Sequence, residues 1–284
     1  MLVVINADDL GLHKAVTRAV EDLAGRGRLA SASLLVNGPC ARDALKLAGL
    51  GLGVHLNLLR GRPLGSFAET ASFTGPDGVM LGSYAALFSR YARRALDLDQ
   101  ATLEFSRQIE AALDMGLAPT HLDSEKHIHA WPRLWAVARE LARRYHIPWL
   151  RRPVERVPAG RLDAGAWRAR LLNAFCRAGP RHDGPPASAD AVCGVADQGR
   201  RLAPRSLLCA ARPEDFVLEV CCHPGAPEPG DPPLDPAFGP LRVDSLWRDD
   251  YESLFGLDWP AALQELGARA THFGRIDPAT RRSL

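Results

Sequence analysis

The sequence is poor in lysine. Lys14, Lys46 and Lys126 are the only lysines among 35 basic residues, and the rest are arginine. Set against 33 acidic residues, the basic residues leave a formal net charge of +2. No strong field therefore selects nucleic acid or an anionic surface as the partner. The six cysteines (Cys40, Cys176, Cys193, Cys209, Cys221 and Cys222) form no CxxC pair, which excludes the usual thiol-based zinc and redox motifs. A chain of 284 residues needs no disulfide staples, so all six read as reduced thiols. No apolar run approaches the roughly 20 residues of a membrane span. No basic leader precedes the first strand-like run, so the cytoplasm is the expected location. Internal repeats are absent, which excludes solenoids and propellers. What remains, 46% hydrophobic and 24% charged residues, suits one barrel-sized globular domain over residues 1–284.

Against that plain background, polar residues recur at the ends of apolar runs. Leu2-Val3-Val4-Ile5 reads as a buried strand, and Asn6-Ala7-Asp8-Asp9-Leu10-Gly11 follows at once. Two adjacent carboxylates at the end of a buried strand are costly to place. One can hold a metal while its neighbour handles a proton, and the competing reading is a helix cap beside a solvated acid. Gly53-Val54-His55-Leu56-Asn57-Leu58 is a second short strand, with His55 and Asn57 on one side. Pro119 to His129 holds His121, Asp123, Glu125, His127 and His129 within nine residues. A fourth strand, Val217 to Cys222, runs into His223-Pro224-Gly225. Asp, His and a further His or Glu suit one divalent ion, and ligands scattered along the chain converge when each ends a barrel strand.

Strand-like and helix-like patterns alternate throughout, which predicts an α/β fold. Helices are expected over Ala41–Ala48, Ser83–Arg94, Pro132–Tyr145, Ala166–Arg177 and Trp259–Gly267. Asp99 is the expected cap of a further helix that buries Leu103, Phe105, Ile109, Ala112 and Leu113. Residues 60–82 and 225–239 read as loops; residues 154–212 resist assignment beyond one helix and a Pro/Gly-rich stretch at 179–190.

Taken together, the four polar segments resemble the YdjC-like carbohydrate deacetylases, which include chitooligosaccharide deacetylases. Asn6–Gly11 resembles that family's N-A-D-D-F-G with Leu10 for Phe. Gly53–Leu58, Pro119–Ser124 and Cys222–Gly225 resemble its G-V-H-L-N-L, P-T-H-L-D-S and C-H-P-G. The resemblance implies a distorted (β/α) barrel of the polysaccharide-deacetylase type, with parallel strands and the active site at their C-terminal ends. It implies one divalent ion (Zn, Mg, Mn or Co) and hydrolysis of the acetamide of an N-acetylated sugar. It makes Asp9 and His55 metal ligands, Asp8 the general base and His223 the general acid. Glu125 stands where chitooligosaccharide deacetylases carry a metal-binding His, so it becomes the expected third ligand, with His127 as the alternative. Asp123-Ser124-Glu125-Lys126-His127 and Arg151-Arg152-Pro153 look most like the hopanoid-associated branch, whose implied substrate is an N-acetylglucosaminyl bacteriohopanetetrol.

Around that centre, His121 and Asp123 are expected to orient ligands, and Arg151 to orient Asp8 or the substrate unless it belongs to a surface charge run. Trp131 is the best candidate for a sugar-stacking ring. Leu234, Phe238 and Leu241 would suit an apolar rim for a lipid-linked substrate. A transient membrane-surface contact and a homodimer are both compatible with this reading; nucleic acid is not an expected partner. A deacetylase of soluble chitooligosaccharides, a metal-dependent phosphoesterase and a non-catalytic sugar-binding protein are the alternatives.

Overall fold

A computed structural model describes residues 1–47, 49–179, 184–198, 200–239, 243–256 and 258–283. Among these residues eight strands carry the fold: β1 (Leu2–Leu10), β2 (Ser31–Leu34), β3 (Gly51–Leu56), β4 (His121–Ser124), β5 (Trp149–Leu150), β6 (Ala191–Cys193), β7 (Val217–Cys222) and β8 (Arg269–Thr271). The order across the sheet is β5-β4-β3-β2-β1-β7-β6, and every pairing is parallel. β8 joins β1 at Leu2–Val4, whereas β2 joins it from Asn6 onward. The sheet curls until the stretch leading into β6 meets β5: Trp149 bridges Ala187, and the Val192 amide donates to the Val154 carbonyl. The distorted barrel expected from the sequence is therefore present.

Parallel strands covered by helices read as continuous apolar runs because both faces are buried, and Val3 to Leu10 is buried without a break. The helix Lys14–Gly25 lays Val16, Ala19, Val20 and Leu23 on that sheet, as its i, i+3, i+4, i+7 spacing predicts. His13 is its cap and accepts from the Ala15 amide.

The helix Leu98–Asp114 starts earlier than expected. Asp97, not Asp99, is the cap, its carboxylate accepting from the Asp99 and Gln100 amides. Leu103 and Leu113 lie on its outer face, and Ala101, Phe105, Ile109 and Ala112 on its inner one. The helix expected to end at Ala48 is shorter, Ala41–Ala44, with residue 48 itself outside the described residues. In the stretch that resisted assignment, Ala191–Cys193 is a strand and Pro204–Ala210 a helix. A further helix, Val243–Phe255, had no counterpart in the sequence reading.

Candidate active site

The two carboxylates of the opening motif sit where β1 loses register with β2, between Ala7 and Leu10. A local irregularity of this kind re-aims side chains at a strand end. Asp9 takes a left-handed backbone, φ 61°, a conformation that costs a non-glycine residue roughly 1–2 kcal/mol. Gly11 completes the turn at φ 90°, where a Cβ would lie 3.0 Å from the Ala41 backbone. The result sends neighbouring carboxylates into two different networks.

Asp8 enters the first. Arg151 Nη1 donates to its Oδ2 and Nη2 to its Oδ1, both at 2.7 Å, and Asn6 Nδ2 adds a bond of 2.9 Å. Arg151, 1% exposed, also donates through Nε to Glu219 Oε1 at 2.7 Å and lies 2.8 Å from Asp123 Oδ2. Three buried carboxylates thus share one guanidinium. Burial pushes the Asp8 carboxyl up, but the Arg151 charge overrides it and holds Asp8 below the usual range. Glu219 goes the other way, up to about 7, driven by burial and by the charges of Asp123 and Asp8 against the pull of Arg151. Of these three carboxylates, Glu219 is the one driven toward its protonated form.

His55 links the first network to the second. It is the cross-strand partner of Asp123, and its Nδ1 lies 2.8 Å from Asp123 Oδ1. The other nitrogen, Nε2, faces Asp9 Oδ1 at 3.6 Å. Burial opposes a proton on this ring, yet the charges of Asp123, Asp8 and Asp9 bring it up to about 9. A carboxylate behind one imidazole nitrogen is the arrangement that orients the other toward a cation. Asp123 is held in turn by Ser33 Oγ at 2.8 Å, and the same hydroxyl lies 3.0 Å from His121 Nε2. His121 fits only because residue 53 is glycine, where a Cβ would meet the ring at 2.5 Å. Burial keeps His121 neutral, down to about 4.

The second network holds Asp9, Glu125 and Arg60. Glu125 opens a turn of 3₁₀ helix, Glu125–Ala130, in which Lys126 and His127 both take positive φ. Arg60 Nη2 donates to Glu125 Oε2 and lies 3.5 Å from Asp9 Oδ1. Burial pushes Glu125 up, but the charges of Arg60, Lys126 and His55 pull it down to about 2. Asp9 is raised by burial and by the Glu125 charge, which outweigh Arg60 and His55. Asp9 Oδ1 is buried and has no hydrogen-bond partner among the described residues.

Two trios bring donor atoms within 4.8 Å of one another: Asp8–His55–Asp123 and Asp9–His55–Glu125. The oxygens of the first are taken up by Arg151, Asn6, Ser33 and His55 Nδ1. The second offers His55 Nε2 and an oxygen that has no other bond, and one imidazole with two carboxylates fits a divalent cation. His127 is in neither trio; both its nitrogens are buried without a partner among the described residues. His129 lies 2.8 Å from the Arg151 carbonyl through Nε2, so it anchors the arginine's backbone. At the end of β7, His223 Nε2 lies 3.8 Å from Asp8 Oδ2 and 3.5 Å from Gln198 Nε2, while its amide donates to Asp250 Oδ2.

The fold therefore gathers Asp8, Asp9, His55, His121, Asp123, Glu125, Arg151 and His223 at one end of the sheet. Trp131 requires a correction. It is fully buried, its Nε1 donates to the Tyr84 hydroxyl, and its ring packs edge-on against Tyr84 and Phe88, leaving no face for a sugar. Arg151 is no surface charge. Phe238 is buried under Gly61 and forms no rim, and Leu241 lies outside the described residues. Arg60, Glu219, Ser33 and Asn6 were missed as site residues. Two of them had left a signal: Asn6 opens the Asn6–Gly11 motif, and Glu219 is a carboxylate in the middle of the apolar run Val217–Cys222.

Fold and site together define a class: a parallel α/β barrel with an acid–histidine centre at its strand ends. Residues 2–265 match the profile of YdjC-like proteins, and the chain belongs to that family. It is 32% identical over 230 residues to a carbohydrate deacetylase of Geobacillus stearothermophilus, covering 76% of this chain and 87% of that one. A carbohydrate deacetylase of Homo sapiens is 30% identical over 249 residues, covering 80% of this chain and 76% of that one. Among solved structures, a protein of Enterococcus faecalis V583 named for cellobiose-phosphate cleavage superposes with a TM-score of 0.71. It shares 22% identity, over 96% of this chain and 97% of that one, and so speaks for the fold alone.

Proposed function

We propose that the chain is a single-domain carbohydrate N-deacetylase, an enzyme that hydrolyses the acetamide of an N-acetylated sugar. The observation that carries this reading is the pairing of Asp8 with His223: a fixed carboxylate and an imidazole 3.8 Å apart, beside the trio Asp9, His55 and Glu125. Asp8 is the base. Arg151 holds both its oxygens, so it stays ionised and aimed, and it accepts the proton of the attacking water. His223 donates a proton to the sugar nitrogen as the C–N bond breaks, releasing acetate and the free amine. Asp9, His55 and Glu125 would hold a divalent ion, which supplies an electrophile for the acyl oxygen. Asp123 fixes the His55 ring for that task, and His121 and Ser33 hold Asp123.

The finer reading of the substrate is a glycolipid, an N-acetylglucosaminyl bacteriohopanetetrol, handled by a cytoplasmic enzyme that touches the membrane surface transiently. Leu162, Trp167 and Leu171 support a surface contact: they are 68%, 61% and 51% exposed on and beside the helix Ala164–Ala178. That helix's own charged residues are Arg168, Arg170 and Arg177, and such a face suits an anionic interface. Its inner residues Ala169, Leu172 and Cys176 pack with Ala130 of the turn that carries Glu125. No helix among the described residues is long and apolar enough to cross a membrane.

The test is acetate release from N-acetylglucosaminyl bacteriohopanetetrol and from diacetylchitobiose, by wild type and Asp8→Asn, with bound metal quantified. Release from the glycolipid alone, lost in the variant, is the expected result. Release from chitobiose alone would keep the mechanism and overturn the lipid substrate. Release from neither, with an ion bound, would overturn the deacetylase reading.

A further inference from the structure

Arg60 is the unexplained charge of this site. Its backbone is pinned from several sides. Asn57 Oδ1 accepts from the Leu59 and Arg60 amides, Asn57 and Asn37 side chains donate to the Arg60 carbonyl, and Gly61 follows at φ 80° with the Phe238 ring beneath it. The side chain is only 5% exposed. One nitrogen serves Glu125 and approaches Asp9, while Nε and Nη1 are buried without partners among the described residues. A buried guanidinium with more than half its N–H donors idle is costly unless its charge is needed where it lies. Here it lies against two of the three residues that would hold the ion.

We propose that Arg60 is a resident counter-cation of the ion site, sharing Glu125 with the ion and thereby setting how tightly the ion is held. This rests on Asp9, His55 and Glu125 being the ion's donors. Two carboxylates and a neutral imidazole bring two negative charges; a divalent ion balances them alone, and Arg60 adds a positive charge in excess. At the separations involved, repulsion between a guanidinium and a divalent ion lowers affinity substantially even at an effective dielectric constant of about 20. The site is thereby built for an ion that loads weakly and exchanges, unlike a closed structural centre. Arg60 also holds the Glu125 carboxylate in place before the ion arrives, so the donor is pre-positioned.

The experiment is calorimetric titration of chelator-stripped protein with Mn²⁺, comparing wild type with Arg60→Gln and Asp9→Asn. Arg60→Gln should tighten Mn²⁺ binding about 10- to 100-fold, and Asp9→Asn should abolish it. Unchanged or weaker binding in Arg60→Gln, with wild type still binding and Asp9→Asn not, would overturn the role of Arg60 and leave the ion site standing. Absence of binding in every protein, or equal binding in Asp9→Asn, would overturn the ion site and this proposal with it. Wild type supplies a second readout should Arg60→Gln not fold. The ¹⁵N–¹H signal of the Arg60 Nε group, assigned as the one missing from Arg60→Lys, should shift in step with Zn²⁺ saturation. A signal that ignores Zn²⁺ overturns the proposal.

Discussion

Two buried arginines face carboxylates at the same end of the barrel, and they differ in how complete their surroundings are. Every guanidinium nitrogen of Arg151 is bonded, to Asp8, Glu219 and Asp123. Arg60 bonds Glu125 through one nitrogen and, among the described residues, leaves two without partners; the Asp9 oxygen it approaches is unpaired among them as well. A satisfied network fixes geometry; an unsatisfied one marks a place where another group belongs. The comparison divides the labour between adjacent residues of one strand. Asp8 is held for proton transfer by the complete cluster, and Asp9 is kept available by the incomplete one.

The largest effect should come from breaking the complete cluster. Arg151→Met leaves Asp8, Asp123 and Glu219 in the barrel without their counter-charge, and removing one partner of a buried ion pair typically costs about 3–5 kcal/mol. Urea unfolding should show a loss of that order, together with loss of acetate release. A loss below about 1 kcal/mol would mean that the carboxylates simply take up protons, and that Arg151 is not what keeps Asp8 ionised.

A narrower change separates chemistry from architecture. Asp8→Asn keeps the shape and one acceptor for Arg151 but removes the base, so activity should fall by about 10²–10⁴. Ion binding should remain, because Asp8 is not among Asp9, His55 and Glu125. Loss of the ion in this variant, measured by metal content, would place Asp8 among the donors and erase the division between the clusters.

These two clusters were unequally legible in the sequence. Asp8, Asp9, His55 and His223 stood out because polar residues at the ends of β-branched runs have few structural uses, and their order matched a family pattern. The α/β fold followed from alternation, except where elements are short, and the barrel from the family resemblance. β6 has three residues and β5 two, too few for any periodicity to register. Arg151 was visible only as part of an arginine pair, and nothing local distinguishes a buried arginine from a surface one. Arg60 was hidden in a Gly- and Pro-bearing loop, since its importance comes from Glu125, 65 residues away. Trp131 misled because nearness in sequence to the histidines of the 3₁₀ turn is not nearness in space; the turn ends by sending the ring into the core beside Tyr84, Phe88 and Tyr91.

The smallest change tests the one member of the Arg151 cluster that is left partly unpaired, the Glu219 carboxyl. Glu219 is raised to about 7 from an ordinary value near 4.5, and its Oε2 has no partner among the described residues. A carboxyl whose folded value lies above its unfolded one contributes stability that is fully present below about pH 4.5 and is lost as the pH rises through about 7. Across that window the wild type should lose about 3 kcal/mol through this group. Glu219→Gln retains an acceptor for Arg151 Nε and cannot ionise, so this part of the pH slope should vanish while stability near pH 5 changes little. In Asp8→Asn the same slope should shrink, because the Asp8 charge is one of the causes that hold Glu219 up. Urea unfolding between pH 5 and 8 reads both variants. If Glu219→Gln kept the wild-type slope, the proton would reside elsewhere in the cluster, and Glu219 would be a third permanent anion on Arg151.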